Sequence, residues 1–204
     1  MNLLNRVECV PVPLKLAVIF GLSLSSVQVA AKPYSAAVTI GQSNTDVTQN
    51  HPDIESIDDS DTSWSVELGY DFDVIGIRLG YLDLGEASVQ ITGESYTPQN
   101  YHQLVSQVAP VLVEGVTLGI ELPIINKDGW QVSAQLGEIF WQNEIQSTRA
   151  SGQTIKTDTQ GREGYFGATL NYSIDKHWKI GSQFRQYMFE QSINDLSFKL
   201  IYQF

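Results

Sequence analysis

The sequence has little cysteine, few charged residues and no long apolar run in its main part. Its one cysteine, Cys9, lies in an N-terminal segment that we interpret as a leader. The mature chain therefore has no thiol for disulfides, thiolate chemistry or metal binding. Lysine and arginine number 12 against 23 acidic residues, which argues against a nucleic-acid partner. After residue 31 no run approaches the ~18 to 20 apolar residues of a spanning helix, which excludes a helical membrane protein but not a membrane barrel.

The N-terminus has the order of residues that is typical of a secretory signal peptide. Arg6 and Lys15 precede an apolar run, Leu16 to Leu24, and small residues ending at Ala31 follow it. This run is shorter than a membrane-anchor helix requires. We therefore predict a signal peptide over residues 1–31 and one domain over residues 32–204.

Strict alternation of apolar and polar residues dominates the chain after Ala31 and recurs about eight times, which indicates β-strands. One run places Trp64, Val66 and Leu68 on a face opposite Ser65 and Glu67. Across the runs, the polar face consists mostly of small neutral residues, which suits the filled interior of a narrow barrel better than the wet face of a soluble sandwich. We predict an all-β fold, an eight-stranded antiparallel up-and-down transmembrane β-barrel.

The connections between the runs differ in length. Residues 73–76, 124–129 and 175–177 form short connections, whereas residues 44–61, 86–110 and 143–163 form long polar ones. Short turns on one side and long loops on the other are typical of membrane barrels. Large aromatic residues near the strand ends predict two girdles, made of Tyr34, Phe72, Trp130, Tyr172, Trp178, Tyr202 and Phe204 at one level and Trp64, Phe140 and Phe166 at the other.

The sequence from Tyr34 to Phe204 resembles the OmpA/OmpX-type small outer-membrane barrels of Gram-negative bacteria. The residues that carry the resemblance are Gly80 to Gly85, Leu136 to Trp141, Tyr165 to Ser173 and the terminal strand. In that strand, Leu200, Tyr202 and Phe204 resemble the family's C-terminal assembly signal. The resemblance implies an outer-membrane location and contact with lipid, lipopolysaccharide and the barrel assembly machinery. We expect a monomeric barrel domain alone, without the peptidoglycan-binding domain of longer members.

Charged residues on the predicted inner face are expected to pair, because an unpaired charge in a narrow lumen is costly. Asp71 and Arg78 lie at nearly symmetric places about a turn, which predicts a cross-strand ion pair. We expect Glu67 to meet Arg185 or Lys199, and Glu121 to reach a cation such as Lys179. These pairs predict a structural plug or, alternatively, a gate for ions.

Two acidic residues do not fit the alternation. Asp83 and Glu138 would face lipid, where a carboxylate is unfavourable except near the interface. Either bulges near Gly80 and Gly137 shift the strand register, or both carboxylates lie at the outer rim.

The external loops contain the other polar groups of interest. The first loop has an acidic cluster, which we interpret as solvated because it lacks the spacing of a calcium loop; its members are Asp46, Asp53, Glu55, Asp58, Asp59 and Asp61. His51 and His102 lie in presumed external loops and His177 in a short turn, without a His-x-Ser arrangement. We therefore predict no catalytic residue, metal or cofactor. For the alternative of an enzyme, His102 is the least implausible general base.

The predicted function is structural or surface-interacting, in adhesion or envelope integrity, through the long external loops and an extracellular ligand that the sequence does not identify. A narrow ion or small-solute pore gated by the lumen ion pairs is the alternative. A lipid-modifying enzyme is the third hypothesis.

Overall fold

Eight strands of the computed structural model form one closed antiparallel ring, which confirms the predicted eight-stranded barrel. The structure describes residues 6–9, 34–46, 54–91, 97–108, 110–148 and 154–204. Each ring strand pairs with its neighbours in the chain, and the first pairs with the last. The strands are β1 (Tyr34–Thr45), β2 (Ser60–Asp71), β3 (Gly76–Asp83), β4 (Glu114–Lys127), β5 (Trp130–Thr148), β6 (Thr154–Ser173), β7 (Trp178–Tyr187) and β8 (Ile193–Gln203).

Side chains along each ring strand point alternately into the lumen and away from it. On β8, Ser197 and Lys199 are 2% and 4% exposed, whereas Leu196 and Phe198 are 64% and 77% exposed. Since successive residues of a strand face opposite sides of the sheet, the polar residues fill the barrel and the apolar residues form its outer surface.

The short connections all lie at one end of the barrel. Asp128 and Gly129 join β4 to β5 with φ of 54° and 83°, a pair of left-handed residues typical of a type I′ hairpin turn. This turn is shorter than the predicted connection over residues 124–129. After a register shift between Pro123 and Ile125, β4 continues to Lys127, since proline removes one backbone donor without ending the strand.

The second long connection folds into regular structure on the other side of the barrel. It contains a strand, Ser88–Ile91, and a helix, α1 (Pro98–Val108), although the alternation predicted no helix. Ser88–Ile91 pairs with Ile54–Asp58 of the first connection. Residues from these segments pack into a small apolar core with β5, the external core, made of Val89, Tyr101, Val105 and Ile145 with Ile54, Ile57 and Leu104 at its edge.

The third long connection is mostly strand, so the predicted polar loop over residues 143–163 is wrong. β5 and β6 pair continuously from Trp130 opposite Tyr172 to Thr148 opposite Thr154. β7, in contrast, pairs with β6 only between Tyr165 and Ser173. The outer half of the β5–β6 hairpin therefore projects beyond the ring.

One further strand, Arg6–Cys9, pairs with Ser88–Ile91 and with β5. It belongs to the predicted signal peptide and would be removed by cleavage after Ala31, a position outside the described residues. Within the described ranges, no helix is long and apolar enough to cross a membrane.

Candidate functional site

A buried charge cluster occupies the middle of the lumen and is centred on Glu67. One carboxylate oxygen of Glu67 accepts a hydrogen bond from Arg185 Nη2 at 2.6 Å, and the other accepts one from Lys199 Nζ at 2.6 Å. The three side chains are between 2% and 4% exposed. The structure thus brings Glu67 into contact with both of the cations that the sequence offered as alternatives.

A second group of charges lies around Arg78. Its guanidinium is 2.5 Å from Asp71 and 3.2 Å from Glu121, and it lies 3.9 Å from Glu67. Arg78 therefore links the hairpin pair to the central cluster. Ion pairs that share a cation in this way leave few buried charges uncompensated.

Neutral amides complete the cluster, and sequence reasoning missed them. Gln135 accepts a hydrogen bond from Arg185 Nε at 2.9 Å and donates one to Glu121 at 3.1 Å. Lys179 donates a hydrogen bond to Gln131 at 3.2 Å. Glu121 contacts Arg78 instead of Lys179, the cation that we expected. Arg78 lies on β3, which pairs directly with β4, the strand of Glu121. Its guanidinium therefore contacts the Glu121 carboxylate.

Apolar side chains form a buried cluster at the outer end of the lumen. Nine residues that are at most 2% exposed form this outer plug: Leu82, Leu84, Ala87, Leu112, Val113, Ile139, Tyr165, Tyr187 and Ile193. Five of them are inward-facing strand residues, and the other four lie between β3 and β4, in the second connection as the structure bounds it. The Arg185 guanidinium lies 4.9 Å from the centre of the Tyr165 ring and joins the plug to the charge cluster.

Hydrogen bonds within the connection and to barrel strands hold the loop part of the outer plug in place. Leu84 N donates to Val113 O at 3.0 Å, and Ser43 Oγ donates to Leu84 O. Asp61 Oδ2 accepts a hydrogen bond from Glu86 N at 2.8 Å. The segment that enters the barrel mouth is thus fixed through its backbone as well as by apolar packing.

The lumen opens into a cavity at the opposite end, near the short turns. Its volume is about 230 Å³, and its lining includes Ser35, Asp71, Arg78, Lys179 and Gln203. Polar groups of both charges line this space, so it is suited to water and small polar solutes.

The two misfit carboxylates lie at the outer rim. The pairings of β3 and of β5 show no register shift near Gly80 or Gly137, so the bulge alternative is wrong. Asp83 is the last residue of β3 and accepts a hydrogen bond from Gly85 N at 2.8 Å. Glu138 lies opposite Gly164. Gly164 is adjacent in the chain to Tyr165, the last residue of β6 that pairs with β7.

The acidic cluster of the first connection is divided among strands and turns. Asp61 accepts backbone hydrogen bonds from Thr62 and Glu86 at 2.7 and 2.8 Å, a structural use of its carboxylate. Over the described parts of the chain, no group of three or more acidic, His or Cys residues is arranged to hold a metal ion. Asp53 and His51 lie outside the described residues.

His102 has partners that the sequence did not indicate. On α1, its Nδ1 lies 2.8 Å from Ser147 Oγ, and its Nε2 lies 2.7 Å from Thr157 Oγ1. The imidazole therefore ties the helix to both strands of the projecting hairpin. His177 stacks on Tyr202 at 5.8 Å and contacts Gln203 O at 2.9 Å, at the turn end of the barrel.

Aromatic residues near the turn end lie on the outer surface in three contacting groups. Ring centres are 4.7 to 5.1 Å apart within Tyr34–Tyr70–Phe72, Trp130–Tyr172 and Trp178–Tyr202–Phe204. Toward the other end, Trp64 lies 5.8 Å from Tyr81. Phe140 and Phe166 both face outward. Phe140 lies opposite Arg162 and Phe166 lies opposite Leu136, so the two rings are at different positions along the β5–β6 ladder.

A closed eight-stranded ring with an apolar outside and a charged, filled interior defines a small outer-membrane β-barrel. Residues 30–203 match the family model of the OmpA-like transmembrane domain, and the chain belongs to that family. The predicted family and bacterial outer-membrane location are confirmed.

Two solved structures share the fold. The N-terminal β-barrel domain of Pseudomonas aeruginosa OprF has a TM-score of 0.52 and 11% identity, covering 86% of this chain and all (100%) of that one. Ail, the attachment invasion locus protein of Yersinia pestis, has a TM-score of 0.52 and 12% identity, with coverage of 86% and 100%. The comparison with curated proteins finds no match.

Proposed function

We propose that this protein is a structural and surface-interaction protein of the outer membrane, with a closed lumen and its function on the external side. The observation that carries the proposal is the outer plug, in which Leu84 and Leu112 from the second connection pack against Ile139 and Tyr187 of the barrel wall. An apolar constriction of this kind excludes water and ions. The external core, α1 and the β5–β6 hairpin supply a folded surface for contact with other molecules.

A planar-bilayer recording tests the closed lumen. We expect no discrete conductance from the purified parent protein. Leu84→Asp, which puts a charge into the plug, is expected to introduce current, and Leu84→Met, which keeps the plug apolar, serves as the matched control. Stable conductance by the parent protein would favour the second candidate, a narrow pore, whose support is the polar cavity of about 230 Å³ at the turn end.

The external role has a separate test in living cells. Val105→Asp places a carboxylate in the external core, where Val105 is fully buried, whereas Lys179→Gln changes a residue that lines the cavity. We expect Val105→Asp to reduce the attachment of the cells to a surface or the exclusion of a membrane-impermeant dye by their envelope. Lys179→Gln is expected to leave both properties unchanged. The reverse result would overturn the proposed external role.

We also infer that the protein is not an enzyme. A hydroxyl nucleophile needs a base and access to its substrate. The Ser147 side chain meets His102, but Ser147 is only 2% exposed, and the second imidazole nitrogen meets Thr157 in place of a carboxylate. Purified protein is expected to leave lipid A unmodified; modification that is lost in His102→Ala would contradict this inference.

A further inference from the structure

The cavity at the turn end of the lumen is bounded by the central charge cluster and reaches the short turns. Glu67 and Lys199, with side chains 4% and 2% exposed, are part of its lining. Phe72 and Asp73, exposed residues of the turn between β2 and β3, also belong to it. Since the short turns of an outer-membrane barrel face the periplasm, the cavity is accessible to periplasmic solutes.

Lys179 is a cation of this cavity without a carboxylate partner. The other charges around the cavity form ion pairs with one another: the carboxylates Glu67, Asp71 and Glu121 with the cations Arg78, Arg185 and Lys199. Lys179 forms no ion pair with a described residue and donates one hydrogen bond, to Gln131 Oε1 at 3.2 Å. Because an ammonium group has three donors, Lys179 has donors left for a ligand. Asp73, the fourth acid of the lining, is exposed on its turn.

Neutral amides form much of the remaining polar lining. Asn126, Gln131, Asn171 and Gln203 line the cavity, and Asn171 lies directly opposite Gln131 in the β5–β6 ladder. An amide side chain both donates and accepts hydrogen bonds, which matches the hydroxyl group of a solute. Lys179 and two of these amides, Gln131 and Asn171, form one polar side of the cavity, which we call the lysine wall.

The lysine wall contains a buried acceptor without a partner. Asn171 is 2% exposed, and its Nδ2 donates to Thr169 Oγ1 at 3.4 Å. Its Oδ1 has no hydrogen-bond partner among the described residues, which is costly for a buried polar atom. The last torsion of an asparagine side chain is broad and weakly restricted, so a rotation of the amide directs this oxygen to a hydroxyl group in the cavity.

We propose that the cavity binds a small hydroxy acid with a single negative charge. Its carboxylate meets the Lys179 ammonium, and its hydroxyl groups form hydrogen bonds with Gln131 and Asn171. The cavity volume of about 230 Å³ is below the ~300 to 1,000 Å³ of sites for drug-sized ligands, which suits a solute of a few carbon atoms. This binding is a separate property from the proposed external role, since the ligand enters from the turn end.

Other classes of small solute fit the lining less well. A neutral polyol leaves the Lys179 charge without a counterion, whereas an apolar carboxylate leaves the amides without a partner. A dianion brings a second negative charge near Asp71 and Glu121, which already share the cation Arg78. Because charges and polar groups in a confined site need partners, each of these solutes should bind more weakly than a hydroxy acid.

Isothermal titration calorimetry on the folded protein in lipid nanodiscs tests the proposal, with gluconate as the probe. Three six-carbon compounds serve as matched solutes: sorbitol is neutral, hexanoate lacks the hydroxyl groups and galactarate carries two carboxylates. We expect one gluconate molecule to bind per chain. The three other solutes are expected to bind at least about tenfold more weakly, because each loses a charged or hydroxyl contact.

Variants of the lysine wall identify the groups that bind. Lys179→Gln is expected to weaken gluconate binding at least about tenfold because it removes a charge-assisted hydrogen bond, whereas Lys179→Arg keeps the charge and is expected to retain most of the affinity. Asn171→Ala is expected to weaken the binding of gluconate but not that of hexanoate. Lys176→Gln is the matched control, since it makes the same charge change on an exposed turn residue outside the cavity lining. A heat-dependent gel shift establishes that each variant is folded.

The proposal is overturned if the parent protein binds no gluconate, or if Lys179→Gln binds it as tightly as the parent. It is also overturned if hexanoate or sorbitol binds as tightly as gluconate, since the hydroxyl groups or the charge then play no part. If gluconate does not bind while Val105→Asp still impairs attachment, the ligand site is wrong but the proposed external role stands.

Discussion

Glu67 and Arg185 meet across the lumen at 2.6 Å although their strands, β2 and β7, are not neighbours in the ring. Lys199 of β8 binds the other oxygen of the same carboxylate at 2.6 Å. One buried acid thus compensates two buried cations that come from different strands. This contact connects opposite parts of the barrel wall without any backbone pairing between them.

Replacing Glu67 with glutamine is therefore expected to destabilise the barrel strongly. Removing one partner of a buried ion pair typically costs about 3 to 5 kcal/mol, because the remaining charge is left uncompensated. Reversible urea unfolding in lipid vesicles measures the free energy. Asp71→Asn is the matched control and is expected to cost under about 1 kcal/mol, since the Asp71 side chain is 34% exposed and Arg78 keeps Glu121. Equal losses in the two variants would contradict the central role of Glu67.

Truncation of neighbouring residues on β5 is expected to separate plug packing from lipid contact. Ile139 is fully buried in the outer plug, whereas Leu136 is 55% exposed on the outer surface. Ile139→Ala is expected to lower the free energy of unfolding by about 2 to 5 kcal/mol because it leaves a cavity. Leu136→Ala should cost less, since lipid fills the space. The same vesicle unfolding measurement compares them, and a larger loss for Leu136→Ala would argue against the plug.

The β4–β5 turn requires glycine at its second position. Gly129 has φ of 83°, and a Cβ there would lie 3.3 Å from Tyr172 Cε2. Gly129→Ala is expected to cost about 1 to 2 kcal/mol, because side chains disfavour the left-handed region. Gly164→Ala is the control, since its nearest contact would be Met188 Sδ at 3.5 Å. Thermal unfolding followed by the gel shift checks the difference, and no difference would contradict the turn geometry.

Asp175 is expected to make the turn before β7 sensitive to acid. Backbone hydrogen bonds from His177 and Trp178, at 2.7 and 2.8 Å, lower the pKa of this exposed carboxyl below its ordinary 3.8. A lowered folded-state pKa stabilises the fold above pH 3.8, and this contribution is lost as the pH falls through the folded value. Asp175→Asn should therefore be less stable than the parent at pH 7 and equal to it in strong acid. A difference that does not change with pH would contradict this cause.

The sequence predicted the barrel well because the side-chain period of a strand is a local property. The alternation around Glu67 and Lys199 identified the inner face, and the charges on it indicated that ion pairs were needed. Three features of the external side were missed. α1 had local signals that we did not use: Thr97 before Pro98, with Thr97 Oγ1 accepting from Asn100 N at 3.3 Å, and helical spacing of Tyr101, Leu104 and Val105.

The projecting hairpin was missed for a different reason. Apart from Ile145 and Ile155, residues 143–163 are polar or small on both faces, so they show no apolar alternation, and pairing along the β5–β6 ladder makes them strand. The contacts of His102 with Ser147 and Thr157 also depend on where α1 packs. No local pattern contains that information.

The sequence by itself determined the eight strands of the ring, the alternation of their inner and outer faces and the short turns at one end, since all three follow from local periodicity and turn chemistry. Only the tertiary structure decided that Glu121 meets Arg78, that residues of the second connection pack against the inner barrel wall and that β6 has an open edge. Each of these depends on the stagger of strands around the ring and on the packing of distant segments, which local sequence patterns do not specify.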